Sequence, residues 1–399
     1  MLSQRALNLK SSPTLALVAK AKELQSKGHD VISLTVGEPD WPTFPVAADA
    51  GIAAIQKGFT KYTPAQGTLE LRQAIAKRTE IDLGLKYSPS KEIAVTSGAK
   101  FAIFAALQVL CNPGDEVIIH SPYWVSYPVM AELSGAKPII VDCKAEHNFK
   151  ISAERLEQAI TAKTKVFLFC SPSNPTGFIY SAEELKAIGS VLQKYPHVVV
   201  ITDDMYNRLM LNGQKIAPHI LQQTPALYSR TIVINGGSKA YAMTGWRIGW
   251  ALGPESVIKA IGDFASQAMG APSSISQVAA EQALLNGESD IEKTNLLLKQ
   301  RLESALVRLR KIPNIKVYQP DGAFYLWINV QGLLGRLYKG EKVISSAQLG
   351  KIYLEDYHVA TVPGEEFGEP GYLRLSFATE IHKFNSAMDR LNQMIEAMV

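Results

Sequence analysis

Ile93-Ala94-Val95-Thr96 is a short apolar run; Ser97-Gly98-Ala99 are small residues ahead of Lys100, and Phe101–Leu110 is a helical pattern. Apolar residues without alternation suit a strand buried on both faces. The abrupt change of pattern after them predicts a strand–turn–helix unit. The arrangement recurs along the middle of the chain. Val117–His120, Pro138–Val141, Val166–Cys170, Val198–Thr202 and Thr231–Ile234 are further runs of this kind, and Ala182–Lys194 is another helical stretch. Strands alternating with helices predict an α/β fold with a mostly parallel, doubly wound sheet.

The last third reads differently. Ile291–Ile312 is a long amphipathic stretch suited to a helix linking two units, and Ala323–Val330 and Tyr372–Ala378 read as strands. A terminal helix sets Phe384, Met388, Leu391, Ile395 and Met398 on one face. At 399 residues the chain exceeds what one core comfortably fills. We therefore expect a large domain over residues 46–290 and a smaller α+β domain built from both chain ends, residues 1–45 and 291–399.

Composition narrows the function classes. The chain is 47% apolar and 20% charged, which is ordinary for a globular protein. Its net charge of +4 comes without blocks of Lys or Arg, so a nucleic-acid partner is not expected. No apolar run approaches the roughly 18 residues of a membrane span. Met1–Lys20 lacks the charged-then-apolar plan of a signal peptide. Cys111, Cys143 and Cys170 are widely spaced and the seven histidines show no ligand spacing, so neither a disulfide framework nor a metal site is expected. Together these features predict a cytoplasmic protein with reduced thiols.

In open α/β sheets, ligands bind beyond the carboxyl ends of the strands. Four of the predicted ends carry polar chemistry. Ser97-Gly98-Ala99-Lys100 suits a phosphate cradle at a helix amino terminus, or a tight turn with no ligand. It is not a dinucleotide fingerprint, since no GxGxxG follows a strand. Ser171-Pro172-Ser173-Asn174-Pro175-Thr176-Gly177 is a rigid turn, able to hold the Asn174 amide in place or to be purely structural. Asp203 follows an apolar run and needs a cationic or hydrogen-bonding partner if buried; Asp203 or Asp204 capping a helix is the other reading. After Thr231–Ile234, Asn235-Gly236-Gly237-Ser238 leads to Lys239 among small and apolar residues. Desolvation there lowers an amine's pKa, as Schiff-base chemistry requires, although most lysines are simply solvated.

Taken together, the motifs resemble the class I aminotransferases. Ser238-Lys239 through Gly245-Trp246-Arg247-Ile248-Gly249 resembles the family's cofactor-lysine signature. Gly37-Glu38-Pro39-Asp40, Tyr62-Thr63-Pro64, Asn174-Pro175-Thr176-Gly177, Asp203 with Tyr206, and Arg374-Leu375-Ser376-Phe377 match in the family's order and span almost the whole chain. Tyr123–Pro128 is similar to a segment of the bacterial-type aspartate aminotransferases.

The resemblance implies a pyridoxal 5'-phosphate enzyme working by a ping-pong exchange between an amino acid and a 2-oxo acid. It implies that Lys239 is the Schiff-base lysine and proton carrier, that Asp203 pairs with the pyridine nitrogen, and that Asn174 and Tyr206 hydrogen-bond the ring hydroxyl. Gly98, Ala99, Ser238 and Arg247 would hold the phosphate end, and Trp124 would stack on the ring. Tyr62 would reach the phosphate of a neighbouring subunit, implying a homodimer with shared active sites. Arg374 would clamp the substrate α-carboxylate, with Gly37, Trp124 and Asn174 beside it. The alternation of Leu373, Leu375 and Phe377 against Arg374 and Ser376 agrees, but a solvent-facing strand arginine alternates in the same way.

Lys100 and Thr14 stand where the aspartate branch binds the second carboxylate, implying aspartate as donor and 2-oxoglutarate as acceptor; a phosphate-side or solvent-facing Lys100 is the other reading. An aromatic or kynurenine-type aminotransferase, a prephenate aminotransferase, or a β-eliminating lyase would share every cofactor residue. Trp41-Pro42 and Glu365-Glu366 depart from the family's pattern and are expected near the substrate mouth. An amino-acid-sensing regulator is disfavoured because residues 1–30 show no helix-turn-helix pattern, and a nicotinamide dehydrogenase because the glycine fingerprint is missing.

Overall fold

The computed structural model describes residues 1–3, 6, 7, 9 and 13–399, without the side chains of residues 13–15. In chain order its strands are β1 (Ile32–Ser33), β2 (Ile93–Thr96), β3 (Glu116–Ser121), β4 (Lys137–Asp142), β5 (Thr164–Cys170), β6 (Val199–Asp203), β7 (Thr231–Gly236) and β8 (Gly249–Leu252). They continue with β9 (Lys316–Tyr318), β10 (Tyr325–Asn329), β11 (Leu337–Tyr338), β12 (Glu341–Lys342), β13 (Val359–Ala360), β14 (Val362–Pro363) and β15 (Tyr372–Ser376).

Seven strands form the main sheet in the order β2-β8-β7-β6-β5-β3-β4. From β4 to β7 every neighbour is parallel. Only β8 runs against its neighbours β7 and β2. The α/β fold with a mostly parallel sheet is therefore as the sequence predicts, with all six foreseen strands in it. β8 was not foreseen. Pro138–Val141 lies in β4 at the sheet edge, so it is not buried on both faces: Ile140 is 43% exposed. Pro138 fits there, because an edge strand tolerates a residue without an N–H.

The interior strands bury Phe167, Leu168, Ile201 and Ile232 completely, each contributing roughly 1.5–3 kcal/mol through lost water contact. Helices cover the sheet. Ala99–Leu110 follows β2, and Ala182–Lys194 opens with a capping box between Ser181 and Glu184. Register then decides where the chemistry falls. Cys170 pairs with Asp203 and Asp203 with Ile234, so the carboxyl ends of β5, β6 and β7 lie flush.

The long helix Glu288–Leu309 leads to a second, antiparallel sheet, β14-β15-β10-β9. β1 pairs in parallel with β13, bringing the first strand of the chain beside this region. The terminal helix Ile381–Glu396 buries Phe384, Met388, Leu391 and Ile395 as expected, whereas Met398, expected on the same face, lies beyond its end in a bridge with Tyr338. β15 is buried on both faces, so Arg374 is enclosed rather than solvent-facing. Among the described residues no helix is long and apolar enough to cross a membrane.

Candidate functional site

The flush ends of β5, β6 and β7 open onto a cavity of about 280 Å³, near the lower end of small-molecule sites. Two amines, two carboxylates, an amide and two guanidinium groups line it: Lys239 and Lys100, Asp203 and Glu38, Asn174, and Arg374 and Arg247. Lys239 arrives on the turn after β7 and donates from Nζ to the Gly37 carbonyl. Burial lowers its pKa to about 8; Arg374 and Arg247 push the same way, and Glu38 and Asp203 oppose them.

Asp203 closes β6 with its carboxylate buried. Tyr127 Oη donates to Oδ2 at 2.6 Å and the Met205 N–H to Oδ1 at 3.3 Å. Burial raises the Asp203 pKa, while these donors and the nearby Lys239 lower it. The carboxylate thus sits at the cavity wall, not at a helix cap. Asp204 points elsewhere, its Oδ2 lying 3.4 Å from His219 Nε2.

Arg374 is 3% exposed and makes no ion pair among the described residues. Its Nη1 donates to Asn174 Oδ1 at 2.8 Å and its Nη2 to the Thr35 carbonyl at 2.7 Å, while Nε is unpartnered. The guanidinium lies over the rings of Tyr325 and Phe367, 4.3 and 5.0 Å from their centroids. A buried cation with aromatic faces but no carboxylate is an open invitation to an anionic ligand.

At the opposite end, the helix Ala99–Leu110 points its amino terminus at the cavity, where its first N–H groups and dipole favour an anion. Arg247 donates from Nη1 to the Thr244 carbonyl at 2.9 Å and crosses Gly98. Gly98 has φ +87°, and a Cβ there would sit 2.5 Å from Arg247 Nη2. Only glycine permits both the backbone and the approach. Ser238 is buried in the same wall. Lys100 Nζ lies 5.0 Å over the Trp124 ring, and Trp124 meets Tyr127 edge-on. Tyr206 Oη is 2.8 Å from Tyr325 Oη.

Not every residue singled out in the sequence joins this cavity. Tyr62 is fully exposed. Thr14 lies in the helix Pro13–Ser26, but its side chain is outside the described residues. Trp41 and Glu365, expected near the mouth, are not among the residues that line the cavity. Trp41 stacks against Arg301, which holds Asp40 through two hydrogen bonds. Glu365 accepts from Ser346 Oγ and the Ala347 N–H at the start of the helix Ser346–Glu355.

A family model described as aminotransferase class I and II matches residues 29–391. The chain belongs to this family. It is 43% identical over 396 residues to an aspartate/prephenate aminotransferase of Nitrosomonas europaea and 42% identical to an aspartate aminotransferase of Geobacillus stearothermophilus, with 99% of each chain covered. Its fold superposes on an aspartate aminotransferase from Rhizobium meliloti with a TM-score of 0.96, 38% identity and full coverage of both chains. An aspartate aminotransferase from Thermus thermophilus, solved with maleate, gives a TM-score of 0.92 at 35% identity, covering 99% of each chain.

This aminotransferase has site residues that the sequence did not single out. Tyr127 lies inside the quoted Tyr123–Pro128 segment, and nothing local shows that its hydroxyl meets a carboxylate 76 residues away. Tyr325 shares a face of β10 with Trp327, which opposes Arg374 on β15, but only the strand pairing of the folded chain brings it there. Thr35 contributes only its carbonyl, which leaves no trace in residue type.

Proposed function

We propose that this aminotransferase exchanges the amino group of L-aspartate with 2-oxoglutarate, using pyridoxal 5'-phosphate. The observation that carries the reading is Arg374, a buried guanidinium without a carboxylate, facing the same cavity as Lys239 and Asp203. The donor set fits the cofactor. An anion cradle at Gly98, Ala99 and Arg247 suits its phosphate, the Asp203 carboxylate its ring nitrogen, and the Lys239 amine its carbonyl carbon. When bound, pyridoxal phosphate supplies an electrophilic carbon and an electron-withdrawing ring that lets a substrate α-proton leave.

Lys239 would hold the cofactor covalently through Nζ and, once displaced by the incoming amino acid, remove its α-proton. Asp203, whose carboxylate accepts from Tyr127 Oη and the Met205 N–H, would hold a proton on the ring nitrogen. Asn174 and Tyr206 would donate to the ring oxygen, Ser238 would add a donor at the phosphate, and Trp124 would cover one ring face. Arg374 would fork onto the α-carboxylate beside Gly37. Lys100, whose pKa is lowered by burial and by Arg247, would meet the second carboxylate, a task that Thr14 would share.

Two further features belong to this reading. Tyr62 would complete the phosphate site of a second copy, giving a homodimer with shared sites; its full exposure, with Ile52, Ile55 and Phe59 exposed nearby, supports this. Residues 46–290 would form the cofactor-holding domain, and 1–45 with 291–399 the smaller one, in line with the separate sheets. Prephenate is the second reading for the substrate, because it also bears two carboxylates and the Nitrosomonas relative is named for both.

The test is a single half-reaction. The protein loaded with pyridoxal phosphate, given L-aspartate and no oxo acid, should lose its visible absorbance as oxaloacetate appears. A band that persists with aspartate but collapses with phenylalanine would overturn the dicarboxylate assignment. Failure to acquire any band on adding pyridoxal phosphate would overturn the cofactor reading.

A further inference from the structure

Tyr325 touches more of the site than any role assigned above accounts for. It is 1% exposed and sits on β10, held by pairing with β15 on one side and β9 on the other. Its hydroxyl is 2.8 Å from Tyr206 Oη, and its ring face lies 4.3 Å from the Arg374 guanidinium carbon. The same hydroxyl would be 2.6 Å from a Cβ on Gly37, whose carbonyl accepts from Lys239. A side chain at position 37 would therefore displace either Tyr325 or the backbone that meets the lysine.

We propose that Tyr325 is a positioning residue that couples the substrate-carboxylate clamp to the hydrogen bond Tyr206 gives the cofactor. The inference rests on the function proposed above. Two phenol oxygens at 2.8 Å share one hydrogen. When Tyr206 donates to the cofactor ring oxygen, its own oxygen is free only to accept, so Tyr325 is the donor to it. A phenol that accepts a hydrogen bond donates a stronger one in turn. Tyr325 thus strengthens the bond that withdraws charge from the ring oxygen and disfavours a proton on the lysine-linked nitrogen. Its ring meanwhile props the guanidinium of Arg374, which also meets Asn174, the Thr35 carbonyl and Phe367. The other ionisable groups facing the two phenols are Arg374, Cys170 and Asp203. None of them donates to Tyr206 Oη.

Two substitutions separate the two contributions. Tyr325→Phe keeps the ring and removes the hydroxyl; Tyr325→Leu removes both. With the holoenzyme, the pH midpoint of the visible spectrum is titrated and the affinity for maleate, an unreactive dicarboxylate, is measured at fixed pH. Tyr325→Phe should raise the spectral midpoint by roughly half a pH unit, the size expected for losing one hydrogen bond. It should leave maleate affinity within about two-fold, since the ring face remains. Tyr325→Leu should raise the midpoint similarly and weaken maleate by about five-fold or more. In a Tyr206→Phe background, Tyr325→Phe should add no further shift.

An unshifted midpoint in Tyr325→Phe, in a protein whose wild type titrates normally, overturns this inference and leaves the function standing. Maleate binding in Tyr325→Leu equal to wild type overturns the prop. A wild type that takes up no cofactor overturns the function and this inference with it.

Discussion

Arg374 Nη1 donates to Asn174 Oδ1 at 2.8 Å, tying the antiparallel sheet near the carboxyl end of the chain to the turn after β5. The bond fixes one arm of the guanidinium fork, and the Thr35 carbonyl fixes the other. Arg374→Lys keeps the charge but cannot reproduce both contacts. Its KM for aspartate should rise on the order of ten-fold to a hundred-fold, the cost of hydrogen bonds to a charged group. Steady-state kinetics decide it, and an unchanged KM removes Arg374 from substrate binding.

The amine of Lys239 has a second consequence, in pH. Burial lowers its pKa to about 8, so the proton is lost as pH rises through that value, well below an ordinary lysine. Capture of a carbonyl compound needs the neutral amine. The rate at which apoprotein takes up pyridoxal phosphate should climb with pH and level off above about 8. At pH 7 roughly a tenth of the amine is reactive, against a few parts in ten thousand for an unshifted lysine. A rate still rising steeply at pH 10 would contradict this.

Tyr127 gives Asp203 the shorter of its two hydrogen bonds. Burial raises the Asp203 pKa and Tyr127 lowers it, so Tyr127→Phe should raise it further. On the function proposed above, activity would need the ionised carboxylate. It is therefore lost as pH falls through the Asp203 pKa, and the acid limb of the pH profile should move to higher pH in the variant. The profile of kcat against pH measures this, with kcat itself falling by roughly ten-fold for one charge-assisted hydrogen bond.

Gly98→Ala would place a methyl group 2.5 Å from Arg247 Nη2 on a backbone with φ +87°. Both the cradle and the guanidinium would have to shift. Cofactor retention on dialysis should drop by ten-fold or more, at a strain of roughly 1–3 kcal/mol. Retention equal to wild type would mean the phosphate is held elsewhere.

Tyr62 predicts complementation between subunits. Mixed dimers of Tyr62→Ala and Lys239→Ala chains should contain one site with a working lysine and an intact Tyr62 from its partner. Activity recovered on mixing two weak or inactive variants supports shared sites; additive activities exclude them.

The sheet was readable because its interior strands are apolar on both faces, a pattern that Val166–Cys170 and Thr231–Ile234 carry almost without interruption. β8 was missed because Gly249-Trp250-Ala251-Leu252 follows directly on the Lys239 turn, with only Ile248 after the exposed Arg247, and offers no boundary of its own. At the site, Asp203 and Lys239 stood out as ionisable groups at the ends of apolar runs. Tyr127 and Tyr325 did not, since a buried tyrosine reads as core until its hydroxyl has a partner. Those partners lie 76 and 119 residues away and come near only through the packing.

The contacts of Arg374 also set an order of assembly. Gly98, Asn174, Asp203, Lys239 and Arg247 are all synthesised before Arg374, which meets Asn174 across 200 residues and Thr35 across 339. During translation, the groups that would hold the cofactor are thus all made while Arg374 is still missing. Arg374 is made when the first strand of the chain has long since emerged, so the contact it makes with the Thr35 carbonyl closes late and joins two distant parts of the chain.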